Sequence, residues 1–158
     1  MNDDSSIARE ITIVELSEQI LPVAMPLVAQ HLWPERAVEE TAARADTNLR
    51  SLLAWPSAHL FLAVLDTTPV GFASVHWGFS TRHGQPILRI QDLFTHPRHR
   101  RAGVARTLVH YLADWARGQG AQRLELVTGT DNTAARALYV ALGFECLSRK
   151  EIYMRFLQ

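Results

Sequence analysis

Apolar and polar positions change period several times along this chain, and each change marks an element. Residues 9–14 alternate apolar and polar and predict a first strand. Residues 18–33 are mostly apolar at helical spacing, with Pro22 near the start, where proline fits a helix. A second helix follows, with Glu35, Arg36, Glu39 and Glu40 in its first turns and an end near Leu53. Acidic residues there suit the helix dipole. Residues 59–65 form a continuous apolar run, the pattern of a central strand. Asp66-Thr67-Thr68-Pro69 is a turn, and residues 70–79 resume as a strand. So short a link makes the pair antiparallel. A polar loop over 80–86 leads to another strand at 87–95.

A basic loop then runs from Pro97 to Gly103. After it, Val104, Leu108, Tyr111, Leu112 and Trp115 recur at helical spacing, and the helix ends near Gly118 and Gly120. Residues 123–128 read as a strand. Thr130-Asp131-Asn132-Thr133 offers N-cap residues for a helix carrying Ala135, Leu138 and Leu142 and stopped by Gly143. Residues 144–156 read as a last strand or hairpin. Strand, helix and strand over 87–128 make a parallel, right-handed βαβ crossover. The predicted fold is mixed α/β: a mostly antiparallel sheet with helices on both faces. It forms one domain over 1–158, with residues 1–8 frayed.

Composition narrows the class. The 158 residues are 47% hydrophobic and 20% charged, which suits a packed globular chain and argues against disorder. A lone cysteine, Cys146, excludes a disulfide framework and a Cys-rich zinc site. No histidine pair has ligand spacing on a helix, so no metal is expected. Met1-Asn2-Asp3-Asp4 lacks the charge and apolar run of a secretory signal, and no apolar stretch nears the ~18 residues of a membrane span. A cytoplasmic protein without membrane contact is the expectation. A net charge of +0 argues against a nucleic-acid partner. The charge is nevertheless polarised. Residues 1–79 hold 10 acidic and 4 basic side chains, and residues 80–158 hold 6 and 12. The second half could take an anion and the first a cation.

Two stretches carry chemistry. A loop between a strand and a helix N-terminus presents unpaired N–H groups to an anion. Here it reads Arg100-Arg101-Ala102-Gly103-Val104-Ala105, with small residues at Gly103 and Ala105. No Gly-Lys-Ser or Gly-Lys-Thr follows and only one glycine is present, so it is neither a Walker loop nor a dinucleotide fingerprint. On the later helix, Asn132, Ala135 and Tyr139 fall on nearly one face, the outer two about 10 Å apart. Taken singly, the loop reads as a phosphate cradle or a basic helix cap. Tyr139 reads as a reactive phenol or an amphipathic core residue. No Gly-x-Ser-x-Gly elbow supports a hydrolase.

Together these stretches resemble the GNAT superfamily of N-acetyltransferases. The family's acetyl-CoA loop, Gln/Arg-x-x-Gly-x-Gly/Ala, is matched by Arg100, Gly103 and Ala105. Its later pattern, Asn-x-x-Ala-x-x-x-Tyr-x-x-x-Gly-Phe, is matched by Asn132, Ala135, Tyr139, Gly143 and Phe144. The resemblance implies acetyl-CoA as co-substrate, held by residues 87–144. Its pyrophosphate would rest on backbone N–H groups of Arg101, Ala102, Gly103, Val104, Ala105 and Arg106, beside Arg100. Its pantetheine arm would pair with Leu93, Phe94 and Thr95, in a splay between that strand and the 123–128 strand. Asn132 and Ala135 would contact the cofactor, with Tyr139 beside its sulfur. An amine would attack the thioester directly, a strand N–H at Leu93–Thr95 would stabilise the oxyanion, and Tyr139 would protonate the leaving thiolate. Asp92 is the candidate base, directly or through water, and His76 is a second.

The acceptor is read from shorter matches. Ile90-Gln91-Asp92-Leu93-Phe94 is similar to the Leu-Glu-Asp-hydrophobic-Phe stretch of spermidine/spermine- and thialysine-type N-acetyltransferases, with Gln91 in place of the first acid. Val75-His76-Trp77-Gly78-Phe79 also resembles that branch. His31-Leu32-Trp33-Pro34-Glu35 is similar to aminoglycoside 6′-N-acetyltransferases. Both imply a small cationic amine, met by His76, Trp77, Gln91 and Asp92. A protein or peptide acceptor and a non-catalytic acyl-CoA-binding module are the alternatives. Family members often form homodimers, and the last strand offers an edge for one.

Overall fold

The computed structural model describes residues 10–157. The frayed start expected for residues 1–8 lies outside the described residues, as does Arg9. The chain forms two compact units, one ending at Val127 and one beginning at Thr128.

The first unit contains five strands: β1 (Ile11–Glu15), β2 (Ala58–Leu65), β3 (Thr68–Ser80), β4 (Gln85–Thr95) and β5 (Leu124–Leu126). They lie in sequence order in one sheet. Pairs from β1 to β4 are antiparallel, and β4 pairs β5 in parallel. Helices α1 (Leu21–Leu32) and α2 (Val38–Leu53) link β1 to β2, and α3 (Val104–Gly118) crosses from β4 to β5.

Strand β2 shows why the sheet needs helices on both sides. Leu60 and Leu62 pack with Leu21, Leu27 and Val28 of α1 and Leu49 of α2. Phe61, between them, turns the other way onto Tyr111 and Trp115 of α3, with ring centroids 5.4 and 4.9 Å away. Successive strand residues alternate faces, so an unbroken apolar run is what a doubly covered strand requires. Each such fully buried Leu or Phe contributes roughly 1.5–3 kcal/mol.

Helix α2 begins at Val38, later than its acidic residues suggest. Trp33 precedes Pro34, which disfavours the helical region, and Trp33 sits at φ −135°, ψ 66°. Glu35 and Arg36 therefore stay in a turn, while Glu39 and Glu40 occupy the first helical turn.

The second unit holds α4 (Thr133–Ala141), which ends before Gly143 at φ 85°. The strand or hairpin predicted over 144–156 is absent. The described residues of this stretch make one turn, with the Lys150 amide donating to the Leu147 carbonyl at 3.2 Å. Ile152, Tyr153, Met154 and Phe156 are exposed. A strand exists only through its ladder, and this segment forms none. Its apolar residues also fall at consecutive positions, so no single face is defined. The edge expected for a homodimer is not a strand here.

Candidate active site

The site is laid out along β4. Its far end leads through one 3-10 turn, Pro97–His99, into the basic loop and α3. The imidazole of His96 accepts the Arg98 amide through Nδ1 at 3.2 Å. Burial, followed by the charges of His99, Arg98 and Arg100, holds that imidazole below its usual range, so it stays neutral and keeps its acceptor lone pair. Arg101 takes φ 62° and Gly103 φ 81°, two left-handed residues that reverse the chain before α3. Among the described residues, the amides of Arg101, Ala102, Gly103, Val104, Ala105 and Arg106 donate to no backbone carbonyl; the first helical bond runs from Thr107 to the Gly103 carbonyl at 2.9 Å. The space beside Gly103, where a Cβ would stand, is open. Free amides, arginines and a helix N-terminus together make an arrangement, here called the cradle, that could receive an anion.

Gly71 of β3 sets how closely this cradle sits on the sheet. A Cβ there would lie 2.7 Å from the Phe94 carbonyl oxygen and 2.7 Å from Cγ1 of Val104. Only hydrogen lets the first residue of α3 press onto the strands. Nothing in the spacing of the sequence singles out this glycine.

Before the loop, β4 changes face. Ser74 pairs with Asp92 and Val75 with Ile90, leaving Gln91 as a bulge. Up to the bulge, Leu88 lies opposite Trp77, whose ring packs on Trp115 of α3 at 5.2 Å. Beyond it, Asp92 and Phe94 turn to the α1 side. There Asp92 Oδ1 lies 3.1 Å from Nε2 of His31, and its Oδ2 accepts the Ser74 hydroxyl at 2.5 Å. His31 stands in the last turn of α1, against Phe72 and Phe94 at 5.4 and 5.0 Å. The His31 hydrogen bond holds the Asp92 carboxyl below its usual range, aided by Ser74 and opposed by burial. The carboxylate is thus ionised and anchored, with its side chain 30% exposed.

The same stretch loses its outer partner. The β4–β5 register ends at Ile90 and Leu126, so Gln91 to Thr95 have no strand on that side among the described residues. Leu93, Phe94 and Thr95 carry that unpaired edge directly toward the cradle.

The other expected residues divide. His76, two residues after Ser74, shares its face, whereas Trp77 lies on the opposite face against α3. Gln91 is exposed at the bulge. Asn132, Ala135 and Tyr139 belong to the second unit. Asn132 caps α4: its side chain accepts the Ala135 amide at 3.3 Å and donates to Thr128 Oγ1 at 3.4 Å. Tyr139 is half-buried, edge-on to Phe144 at 5.8 Å. Burial pushes its phenol above the usual range. Among the described residues no cluster of three or more His, Cys, Asp or Glu could hold a metal, and no helix is long and apolar enough to cross a membrane. His31, Ser74 and Gly71 have site positions that sequence reasoning did not assign.

Comparison with known proteins bears on this geometry. A family model described as the acetyltransferase (GNAT) family matches residues 25–144. The chain belongs to that family. At the level of the family it is an N-acetyltransferase, as the paired motifs imply. It is 36% identical over 100 residues to thialysine N-epsilon-acetyltransferase of Caenorhabditis elegans, covering 63% of this chain and 62% of that protein. It thus spans less than two thirds of that relative. It is 32% identical over 130 residues to aminoglycoside N(6′)-acetyltransferase type 1 of Serratia marcescens, covering 80% and 86%. Its fold matches the aminoglycoside N-acetyltransferase AAC(6′)-Iy, solved in complex with CoA, with a TM-score of 0.75. That match has 22% identity over 92% of this chain and 95% of the other.

Proposed function

We propose that this GNAT-family chain transfers acetyl from acetyl-CoA to a primary amine of a small cationic acceptor, by direct attack in a ternary complex. The observation that carries the reading is the order of groups along β4. An ionised, half-buried carboxylate at Asp92 is followed by the unpaired edge at Leu93, Phe94 and Thr95, and then by the free amides of residues 101–106.

These residues fit the co-substrate. The open cradle and its arginines suit a pyrophosphate, and the unpaired strand edge suits an extended amide-bearing arm. When bound, acetyl-CoA supplies a thioester acyl group. The chain's own groups do the rest. Arg100 and the loop amides bind the anion, and N–H groups of the β4 edge meet developing negative charge on the carbonyl oxygen. Asp92 attracts and orients the acceptor's ammonium, with Gln91 and His76 near it along the strands. Asn132 and Ala135 of α4 are the further cofactor contacts of this reading.

Tyr139 is the proton donor to the leaving sulfur. Its raised phenol keeps the proton on oxygen throughout the neutral range, and its hydroxyl has no hydrogen-bond partner among the described residues. A cationic acceptor is also supported by the acidic balance of residues 1–79 and by the amines named in the two relatives, thialysine and an aminoglycoside.

The test is thiol release from acetyl-CoA against polyamines, aminoglycosides, lysine analogues and short peptides. Amine-dependent release is expected, and Tyr139→Phe should lower kcat by about 10²-fold, the usual scale for a lost general acid. Unchanged turnover in that variant would remove the role of Tyr139. Acetylation of peptides alone would replace the small amine with a protein acceptor.

A further inference from the structure

The reaction above needs a group to take the proton that the acceptor ammonium must lose, and Asp92 is poorly suited to keep it. Its carboxyl is a weaker base than an ordinary carboxylate, and both its oxygens already accept hydrogen bonds. The arrangement around it supplies a better group.

We propose that His31 is the proton acceptor for the incoming amine, through Nδ1, and that Asp92 and Ser74 are positioning residues that set its tautomer. The inference rests on the amine-acetylating reading.

The hydrogen bonds carry the argument. An ionised carboxylate can only accept, so the contact between His31 Nε2 and Asp92 Oδ1 requires the proton on Nε2. The second oxygen is held by the Ser74 hydroxyl, so the carboxylate cannot rotate away. In the neutral ring the lone pair is then on Nδ1. That atom has no hydrogen-bond partner, and no buried side-chain nitrogen or oxygen among the described residues lacks one. Nδ1 therefore meets solvent, on a side chain 28% exposed.

The charge balance supports uptake of a proton. The imidazolium formed would keep its contact with Asp92 and would sit in the last turn of α1, where the helix dipole favours a cation. Phe72 of β3 and Phe94 of β4 border the ring and are uncharged, and α1 has no other titratable side chain. On α2, Arg44 is engaged over the Trp33 ring at 4.8 Å, and Arg50 pairs with Asp46 and Glu18. The step balances simply. The ammonium N–H bond breaks, an Nδ1–H bond forms, the amine keeps the electron pair that attacks, and the imidazolium later passes the proton to water. A neutral imidazole with a free lone pair suits this work better than a carboxylate whose oxygens both already accept hydrogen bonds.

Two measurements test the proposal. In ¹⁵N NMR of the free protein, His31 should show the Nε2–H tautomer, and Asp92→Asn should shift its ring-nitrogen resonances. The Nδ1–H tautomer in the wild type would overturn the assignment. The second measurement is the pH profile of kcat/KM, taken with whichever of spermidine, thialysine and kanamycin is turned over fastest. His31→Gln should lower kcat/KM by about 10²-fold near pH 7 and recover toward wild type above pH ~9, as the amine deprotonates unaided. Ser74→Ala should move the acid limb with a smaller loss. A His31→Gln profile parallel to wild type at every pH would refute the base role and leave the acetyltransferase reading standing. Bound acetyl-CoA with no amine turned over by the wild type would instead remove that reading, and the inference with it.

Discussion

The anion cradle follows the strand that carries Asp92, yet the chain assembles the cradle and the Asp92 cluster by opposite routes. The cradle is local. Seven consecutive residues, from Arg100 to Arg106, supply its amides and charge, and a left-handed glycine shapes it. The cluster is distant in sequence. His31 and Asp92 lie 61 residues apart, and Ser74 and Asp92 lie 18 apart. Backbone groups do the work in the first and side chains in the second. Backbone amides at a helix start are available whatever the side chains are, so binding a phosphate tolerates variation. A proton relay needs particular atoms, and these meet only if three elements dock in one register.

This contrast can be broken experimentally, and the largest expected effect is at Asp92. Asp92→Ala should reduce amine turnover by about 10²-fold or more while acetyl-CoA affinity stays within about twofold, read by steady-state kinetics and calorimetry. Equal losses in both would mean the two regions are not separable. The same variant has a pH signature in stability. The folded-state carboxyl lies below its unfolded value, chiefly through the His31 hydrogen bond. That stabilisation is present above pH ~3.9 and is lost as pH falls through the lower folded value. Wild-type protein should therefore lose more stability in acid than Asp92→Ala does, as followed by urea unfolding.

A smaller effect, shared by both regions, is expected at Gly71. Gly71→Ala places a methyl 2.7 Å from the Phe94 carbonyl and from Val104, so the start of α3 must lift. A destabilisation of about 1–3 kcal/mol follows from such overpacking. Denaturant midpoints would measure it, and weakened acetyl-CoA binding should accompany it. The smallest is at Gly103. Its φ of 81° makes Gly103→Ala cost about 1–2 kcal/mol of strain, although the space beside it is open. Acetyl-CoA affinity should fall with no change in the shape of the amine pH profile. A changed profile would show that the cradle and the cluster are coupled.

Much of the first unit was legible in the chain. The apolar run at 59–65 is the doubly covered strand it resembles, and the strand–loop–helix–strand order over 87–128 is the parallel β4–α3–β5 crossover. The free amides of the basic loop were legible because they are adjacent in the chain. The face of Asp92 was not. Strict alternation from Leu88 and Ile90 would have put it toward α3, and the bulge at Gln91 reverses that. His31 was legible as a residue near a helix end, but its partner was not. The stretch over 144–156 misled through its apolar content, because content does not supply a neighbouring strand.

By itself the sequence determined what short-range physics decides: where the period changes, where a glycine must turn left-handed, and which consecutive amides stay free at a helix start. Tertiary structure alone decided which way Asp92 faces, that His31 and Ser74 meet it, and that Gly71 must lack a side chain. Each of those depends on pairing register and on the approach of elements far apart in the chain, which the packing of the whole sheet determines and no local window contains.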